Sequence, residues 1–193
     1  MFIVIEGLDN AGKRTQIELL VKYLRERKEK VSVYRYPDKN GEYAKIHEDI
    51  LSGKLSLTPT AQFLTFAADI AKDQNKLFKD LSEGKTVILD RYIFSTIAYQ
   101  NLPFERATEA VRVLKFLKPD IVLYIDVSPE ISMSRIKKHT KTTKYEKDKE
   151  RLLAARIKYK IMAEQNFLCN WKTLDGTRKP EDLLKEICNT LRI

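Results

Sequence analysis

Residues 1–16, MFIVIEGLDNAGKRTQ, decide the fold. Phe2 to Ile5 is a short run of β-branched and aromatic side chains that ends toward a glycine, which predicts a buried strand. From Gly7 to Lys13 the spacing is G-x-x-x-x-G-K, and beyond it Ile17, Leu20, Val21 and Leu24 recur at helical intervals. Strand, glycine loop and helix in this order are the setting in which a loop binds phosphate. Glycines let the backbone turn so tightly that successive N–H groups point inward, and the helix adds the positive end of its dipole. Lys13 is placed to reach terminal phosphates. The next residue is Arg14, where a hydroxyl normally meets magnesium, and Thr15 follows. The stretch therefore predicts nucleotide phosphates on Gly7, Leu8, Asp9, Asn10, Ala11, Gly12, Lys13, Arg14 and Thr15.

The rest of the chain continues the alternation begun there. Helical patterning over 13–28 leads to a strand at 31–36, stopped by Pro37 and followed by the turn residues Asp38, Lys39, Asn40 and Gly41. A short helix is expected over 44–51, with Gly53 after it. Thr58 and Pro59 open a long helix as N-cap and first helical residue, and its apolar stripe of Phe63, Phe66, Ile70 and Leu77 runs on toward Gly84. A strand at 86–92 closes on Asp90, Arg91 and Tyr92. Helices are expected at 94–99, 104–117, 152–167 and 180–191, with strands at 120–127 and 171–174. Strands alternating with helices predict an α/β, P-loop NTPase three-layer fold: a five-stranded parallel sheet covered by helices on both faces. The 193 residues suit a single domain, 1–193, carrying a short basic lid at about 134–148. In such sheets ligands sit at the carboxyl ends of strands, and Gly7–Thr15, Lys39, Asp90–Arg91 and Asp126 all fall at such ends.

Composition narrows the function classes. No apolar run approaches the roughly 20 residues that cross a bilayer, and the opening run is too short for a secretory signal, so the reading is cytoplasmic, with no membrane partner. Cys169 and Cys188 stand apart without CxxC or histidine spacing, which argues against both a metal site and a disulfide framework. The net charge of +9 reads first as a lysine-rich solvated surface and second as attraction to a polyanion. No aromatic-and-glycine RNA signature or helix-turn-helix pattern accompanies it, so no nucleic acid is expected.

A strand ending in Leu89, Asp90 and Arg91 puts a carboxylate and a guanidinium beside the phosphate loop. Asp90 suits a magnesium ion, held directly or through water, and Arg91 suits a phosphate gripped by its planar fork. A structural ion pair is the plain alternative, and the neighbouring loop favours the functional reading. Phosphoryl transfer needs the two phosphates in line and the charge on the moving group neutralised. Lys13, Arg91 and a cation from the segment 134–149 could supply that. This segment holds Arg135, Lys137, Lys138, Lys141, Lys144 and Lys147, and it falls where a closing lid would exclude water. His139 within it reads as a surface residue.

With these pieces in place the chain resembles the thymidylate kinase family of P-loop nucleoside monophosphate kinases over nearly its whole length. Gly7-Leu8-Asp9 ahead of Ala11-Gly12-Lys13, with Thr15-Gln16 after it, is similar to the family's G-x-D-x-x-G-K-[ST]-T-Q. Tyr36-Pro37-Asp38 is similar to the aromatic-Pro-acid element that ends its second strand, and Leu64 to Asp69 resembles the helix whose phenylalanine stacks on thymine. Asp90-Arg91-Tyr92, Ser95, Ala98-Tyr99 and Gln100 carry the strongest match, D-R-[YFH]-x-x-S-x-x-A-[YF]. Lys144-Tyr145-Glu146 is similar to the R-Y-E after the lid, and Lys118-Pro119-Asp120 also fits.

The resemblance implies ATP-dependent phosphorylation of dTMP to dTDP, with Mg2+, by a homodimer. It implies ATP phosphates on Gly7–Thr15, the 3′-hydroxyl of dTMP on Asp9, the acceptor phosphate on Arg91, and thymine on Phe66 with Tyr99 alongside. Lys39, Ser95, Gln100 and the sugar-packing Tyr145 complete the substrate site, and Arg135 joins Lys13 and Arg91 as the lid arginine. Alone, Phe66 and Tyr99 would read as core. The chain departs from the family where Ile70 replaces an arginine that helps hold the base, Lys39 replaces an arginine, Arg14 replaces a hydroxyl, and Asn10 occupies the place of a loop arginine found in some relatives. Losing one charged hydrogen bond at position 70 would cost about 1.5–3 kcal/mol. Two alternatives follow: a kinase with relaxed or altered nucleoside monophosphate specificity, and a degenerate nucleotide-binding protein with little kinase activity.

Overall fold

The computed structural model describes residues 1–136 and 148–193. The strands are β1 (Phe2–Gly7), β2 (Val31–Arg35), β3 (Thr86–Asp90), β4 (Ile121–Asp126) and β5 (Asn170–Asp175). They form one sheet in the order β2-β3-β1-β4-β5, with every neighbouring pair parallel. The helices are α1 (Lys13–Glu26), α2 (Ala44–Ser52), α3 (Pro59–Ala71), α4 (Gln74–Ser82), α5 (Ile93–Tyr99), α6 (Phe104–Leu114), α7 (Pro129–Ser134), α8 (Lys149–Glu164) and α9 (Pro180–Leu191).

All six residues of β1 and all five of β3 are buried, which requires cover on both faces of the sheet. That cover comes as two helix groups. α1 packs on β1, β2 and β3 and meets α9, which lies on β5; α5 and α8 pack on each other and reach β1, β4 and β5. Phe2, Ile3, Val4, Ile5, Val87, Ile88 and Leu89 form the middle of the core. With β1 between β3 and β4, the chain leaves the central strands in different directions and opens a crevice at their carboxyl ends.

Three boundary shifts have a clear cause, a tertiary hydrogen bond in the first two and a local cap in the third. The long helix from Thr58 is two helices. Thr58 does cap it, its side chain accepting from Ala61 N, but the helix breaks at Lys72 and Asp73. There the Asp73 carboxylate accepts from Tyr36 Oη at 3.1 Å and Lys72 Nζ at 2.7 Å, tying the break to the end of β2. α6 stops at Leu114, with Lys115 left-handed at φ 51°. Leu117 N then donates to Gln74 Oε1 at 2.8 Å and its carbonyl accepts from Tyr92 Oη at 3.0 Å, so the segment leaves helical form. α8 begins at Lys149, ahead of the expected 152, because the Asp148 side chain caps Arg151 N at 3.0 Å.

Tyr145, His139 and most of the basic segment expected to act as a lid lie outside the described residues. Cys169 and Cys188 are free thiols. Among the described residues no helix is long and apolar enough to cross a membrane.

Candidate active site

The loop between β1 and α1 is shaped by close approach. Gly7 has φ 148°, and a Cβ there would lie 2.5 Å from the Ile125 carbonyl oxygen of β4, so only glycine fits. Gly12 has φ 106° as the N-cap of α1, with no side chain bonded across the first turn, which leaves the helix's positive end facing the loop. Lys13 is buried and donates from Nζ to the carbonyls of Gly7 at 3.0 Å and Leu8 at 2.7 Å. Burial, then the Arg91 guanidinium, push its ammonium down to about 8 against the pull of Asp9, Asp90 and Glu6.

The outer wall of the loop is clipped by α7. Ser132 Oγ donates to the Asp9 carbonyl at 2.7 Å. Arg135 donates from Nη1 to the Ala11 carbonyl at 3.2 Å and from Nη2 to the Gly176 carbonyl at 2.8 Å. Arg135 thus joins the loop to the turn after β5 and lines a cavity with it. Arg14 lies at the rim of that cavity, 78% exposed, with Nε 2.8 Å from Glu18 Oε1.

At the end of β3, Arg91 adopts φ 73°, a left-handed backbone that turns its side chain toward the loop. Its Nη2 meets Asp9 Oδ1 at 2.6 Å, its Nη1 donates to Ser95 Oγ at 3.0 Å, and its guanidinium carbon lies 5.1 Å from the centre of the Tyr99 ring. Burial pushes the Asp9 carboxyl up, but Arg91 and Lys13 outweigh it and hold the group below its ordinary value. Glu6, wholly buried beneath, fixes the base of the arrangement. It accepts from Tyr92 N at 2.9 Å, Ser95 N at 3.2 Å, Ser95 Oγ at 2.7 Å and Tyr159 Oη at 2.8 Å. A buried carboxyl with four donors is satisfied; burial pushes it above its ordinary value, with the Arg91 guanidinium the main opposing influence.

A second cavity opens on the other side of Arg91. Lys39, Phe66, Ile70, Ser95, Tyr99 and Gln100 all line it, as does Asp9. The structure therefore gathers every substrate-site residue expected from the sequence except Tyr145, which is not described. Gln100 is held by Gln62, whose Nε2 donates to its Oε1 at 2.6 Å. Three side chains line both cavities: Asp9, Arg91 and Arg35. They form the wall across which two ligands would meet.

Arg35 is a residue that the sequence reading passed over. It closes β2 directly beside Asp90 in the ladder, and its Nε lies 3.2 Å from Asp90 Oδ2. The strand-end rule that singled out Asp90 and Arg91 could have found it. Asp90 Oδ1 is buried with no hydrogen-bond partner, an acceptor left over for something that binds there. No group of three or more His, Cys, Asp or Glu that could hold a metal is present among the described residues. Glu6, Ser132 and Tyr159 carried no pattern that would have revealed them, since their partners lie far away in the chain.

Comparison with known proteins adds a family to this geometry. The sequence model of the family described as thymidylate kinase matches residues 5–187. The chain is 35% identical over 193 residues to a thymidylate kinase of Fervidobacterium nodosum, covering 97% of this chain and 96% of the relative. It is 35% identical over 194 residues to a probable thymidylate kinase of Methanocaldococcus jannaschii, covering 100% and 96%. A thymidylate kinase of Carboxydothermus hydrogenoformans is 30% identical over 199 residues, covering 96% and 94%.

Proposed function

The chain belongs to the thymidylate kinase family, and on that premise we propose that it moves the γ-phosphoryl group of ATP to dTMP, giving ADP and dTDP. The observation that carries this reading is the meeting of two cavities on Asp9, Arg35 and Arg91, with a phosphate loop on one side and an aromatic wall on the other. ATP phosphates take the amides of Gly7–Thr15, and Lys13 exchanges the Gly7 and Leu8 carbonyls for the terminal phosphates. The dTMP phosphate sits on Arg91 with Lys39 near, the sugar hydroxyl on Asp9 and the pyrimidine on Phe66 beside Tyr99.

In that arrangement a phosphate oxygen of dTMP attacks the γ-phosphorus, and the bond to the β,γ-bridging oxygen breaks with its electron pair leaving on ADP. Charge on the moving group is the main obstacle, and Lys13, Arg91 and Arg35 are preorganised around its path. Arg135 acts from the donor side, through the loop it holds. Mg2+ fits as the companion of ATP: Asp90, with its unpartnered Oδ1, would hold the ion through water, and the ion would neutralise the β- and γ-phosphate oxygens. The proposed assembly is a homodimer in the cytoplasm. Leu64, Val113, Leu153 and Ile157 are large exposed apolar side chains of the kind a second copy covers, and sedimentation of the pure protein tests that.

A coupled assay of ADP release with dTMP, dUMP, dCMP, dGMP and dAMP tests the reaction. The expected result is turnover on dTMP of about 1–100 per second, the usual range of kinases, ahead of the other four. Nucleotide binding without turnover on any acceptor would overturn it.

A further inference from the structure

Phe66 is mostly buried, and it lines the acceptor cavity. One face of its ring is covered by His47, with centroids 4.2 Å apart and planes 10° from parallel. Tyr43 continues the column behind His47, 6.1 Å away at 23°. His47 is only 2% exposed and is not among the residues lining the cavity, so the ring's other face is what a ligand can meet. Nothing in the sequence reading used His47. A pure filler at this place would be apolar. Instead the chain buries an imidazole opposite a carboxylate, and a buried polar pair of that kind is costly unless it is held. One nitrogen is held, Nε2 lying 3.4 Å from the Thr65 carbonyl, whereas Nδ1 makes no hydrogen bond and faces Asp69 Oδ2 across 3.7 Å. Asp69 in turn accepts from Asp38 N at 2.9 Å, at the turn that presents Lys39, and its Oδ1 faces Lys72 Nζ at 3.4 Å.

We propose that His47 is a positioning residue of the base site, fixing from behind the plane of Phe66 on which the acceptor's pyrimidine stacks. This rests on the reading of Phe66 as the stacking ring. Either form of the imidazole can stack on a benzene ring, but only the neutral one leaves the π density of that ring undisturbed. A proton would put charge beside the Asp69 carboxylate, pull the ring toward it, and draw the π density of Phe66 away from the face the base uses. The charged and titratable groups around His47 are Asp69 on α3, Lys72 just beyond it and Tyr43 at the start of its own helix, with the Thr65 carbonyl at Nε2. Lys72 is itself paired with Asp38 and Asp73. Burial first, then Lys72, hold the imidazole below its ordinary value against Asp69 and the Thr65 carbonyl, so it is neutral at pH 7 and takes a proton only in acid.

The test is KM for dTMP, kcat and KM for ATP between pH 5 and 8, in wild type, His47→Phe, His47→Leu and Phe66→Ala, each checked for folding by thermal melt. The phosphate of dTMP itself titrates near pH 6, so the quantity read is the ratio of wild type to His47→Phe, in which that contribution cancels. The expected result is a wild-type KM for dTMP that rises in acid about three- to fivefold beyond that of His47→Phe, the effect of a weak charge–ring interaction. His47→Leu is expected to raise KM for dTMP about three- to tenfold at every pH, the worth of an aromatic pair, with KM for ATP unmoved. A constant ratio across pH, with His47→Leu behaving as wild type, overturns the proposal. Should the variants fail to fold, a wild-type KM that follows only the phosphate titration overturns it too. If Phe66→Ala leaves KM for dTMP unchanged, the assignment of the base wall falls and the role of His47 falls with it. If Phe66→Ala raises KM while the His47 variants do not, only the present inference is lost.

Discussion

The two ends of the nucleotide cleft are made of different materials. At the phosphate end the chain presents main chain, turned by Gly7 and Gly12 and clipped by Ser132 and Arg135. At the base end it presents side chains drawn from α3, α5 and the turn after β2, with Phe66 backed by a residue of α2. A main-chain cradle depends on local backbone geometry, so almost any change in it is felt. A side-chain wall depends on what happens to converge there, so it combines an aliphatic Ile70 with charged neighbours and accepts a histidine behind its aromatic ring. The comparison suggests that donor binding and acceptor selection are separable properties of this protein.

The largest effect is expected where the two ends meet. Arg91→Ala removes the partner of Asp9 and the proposed grip on the acceptor phosphate together, and kcat is expected to fall about a thousandfold or more. Arg91→Lys should recover only part of this, because an ammonium lacks the planar fork. Steady-state rates on folded protein, checked by circular dichroism, decide it, and an undiminished rate would take Arg91 out of the mechanism. Phe66→Ala sharpens the contrast: KM for dTMP is expected to rise about 10- to 100-fold, the worth of one base–aromatic stack, while KM for ATP stays put. A parallel rise in both constants would break the separation of the two ends.

A smaller effect is expected from pH at the phosphate end. The ammonium of Lys13 is the form that meets phosphate, it exists below its lowered value of about 8, and burial is the main cause of that lowering. The constant kcat/KM for ATP, which reports the free protein, should therefore hold below pH 8 and fall about tenfold per unit above it. A plateau to pH 10 would show that Lys13 keeps its proton. The smallest effect is expected for Arg14→Ser. The Arg14–Glu18 pair is exposed, and pairs of that kind contribute little to stability. The change should leave the melting temperature in place and lower the Mg2+ needed for half-maximal rate by about twofold, since the hydroxyl is the usual ligand there. An unaltered metal titration would show that position 14 never meets the ion.

How far the chain could be read without its structure follows from the range of the interactions involved. In β1, the loop to Lys13, the Thr58 cap and the helix from Pro180, set by neighbours within a few residues, pattern and structure agree, while the local Asp148 cap of α8 went unread. Where a distant partner intervenes, they part. Asp73 stops a helix that its own periodicity would continue because Tyr36 claims its carboxylate, and Gln74 and Tyr92 draw Leu117 out of α6. The same division runs through the site. Arg91 and Asp90 announced themselves by position at a strand end. Arg35 waited for the ladder that sets it beside Asp90, and Tyr159 for the packing that brings its hydroxyl to Glu6 across 153 residues of chain.

The amino-acid order by itself determined a parallel α/β sheet, a glycine loop after its first strand and an arginine at the end of its third, because each is written in contiguous residues whose backbone preferences act locally. Only the tertiary structure decided which residues stand at the junction of the two cavities, that Arg14 pairs with Glu18 at the rim while Arg135 bonds the loop itself, and that His47 lies behind Phe66. Those outcomes are set by hydrogen bonds, stacking and burial between segments far apart in sequence. No local propensity encodes such contacts before the chain has closed on itself.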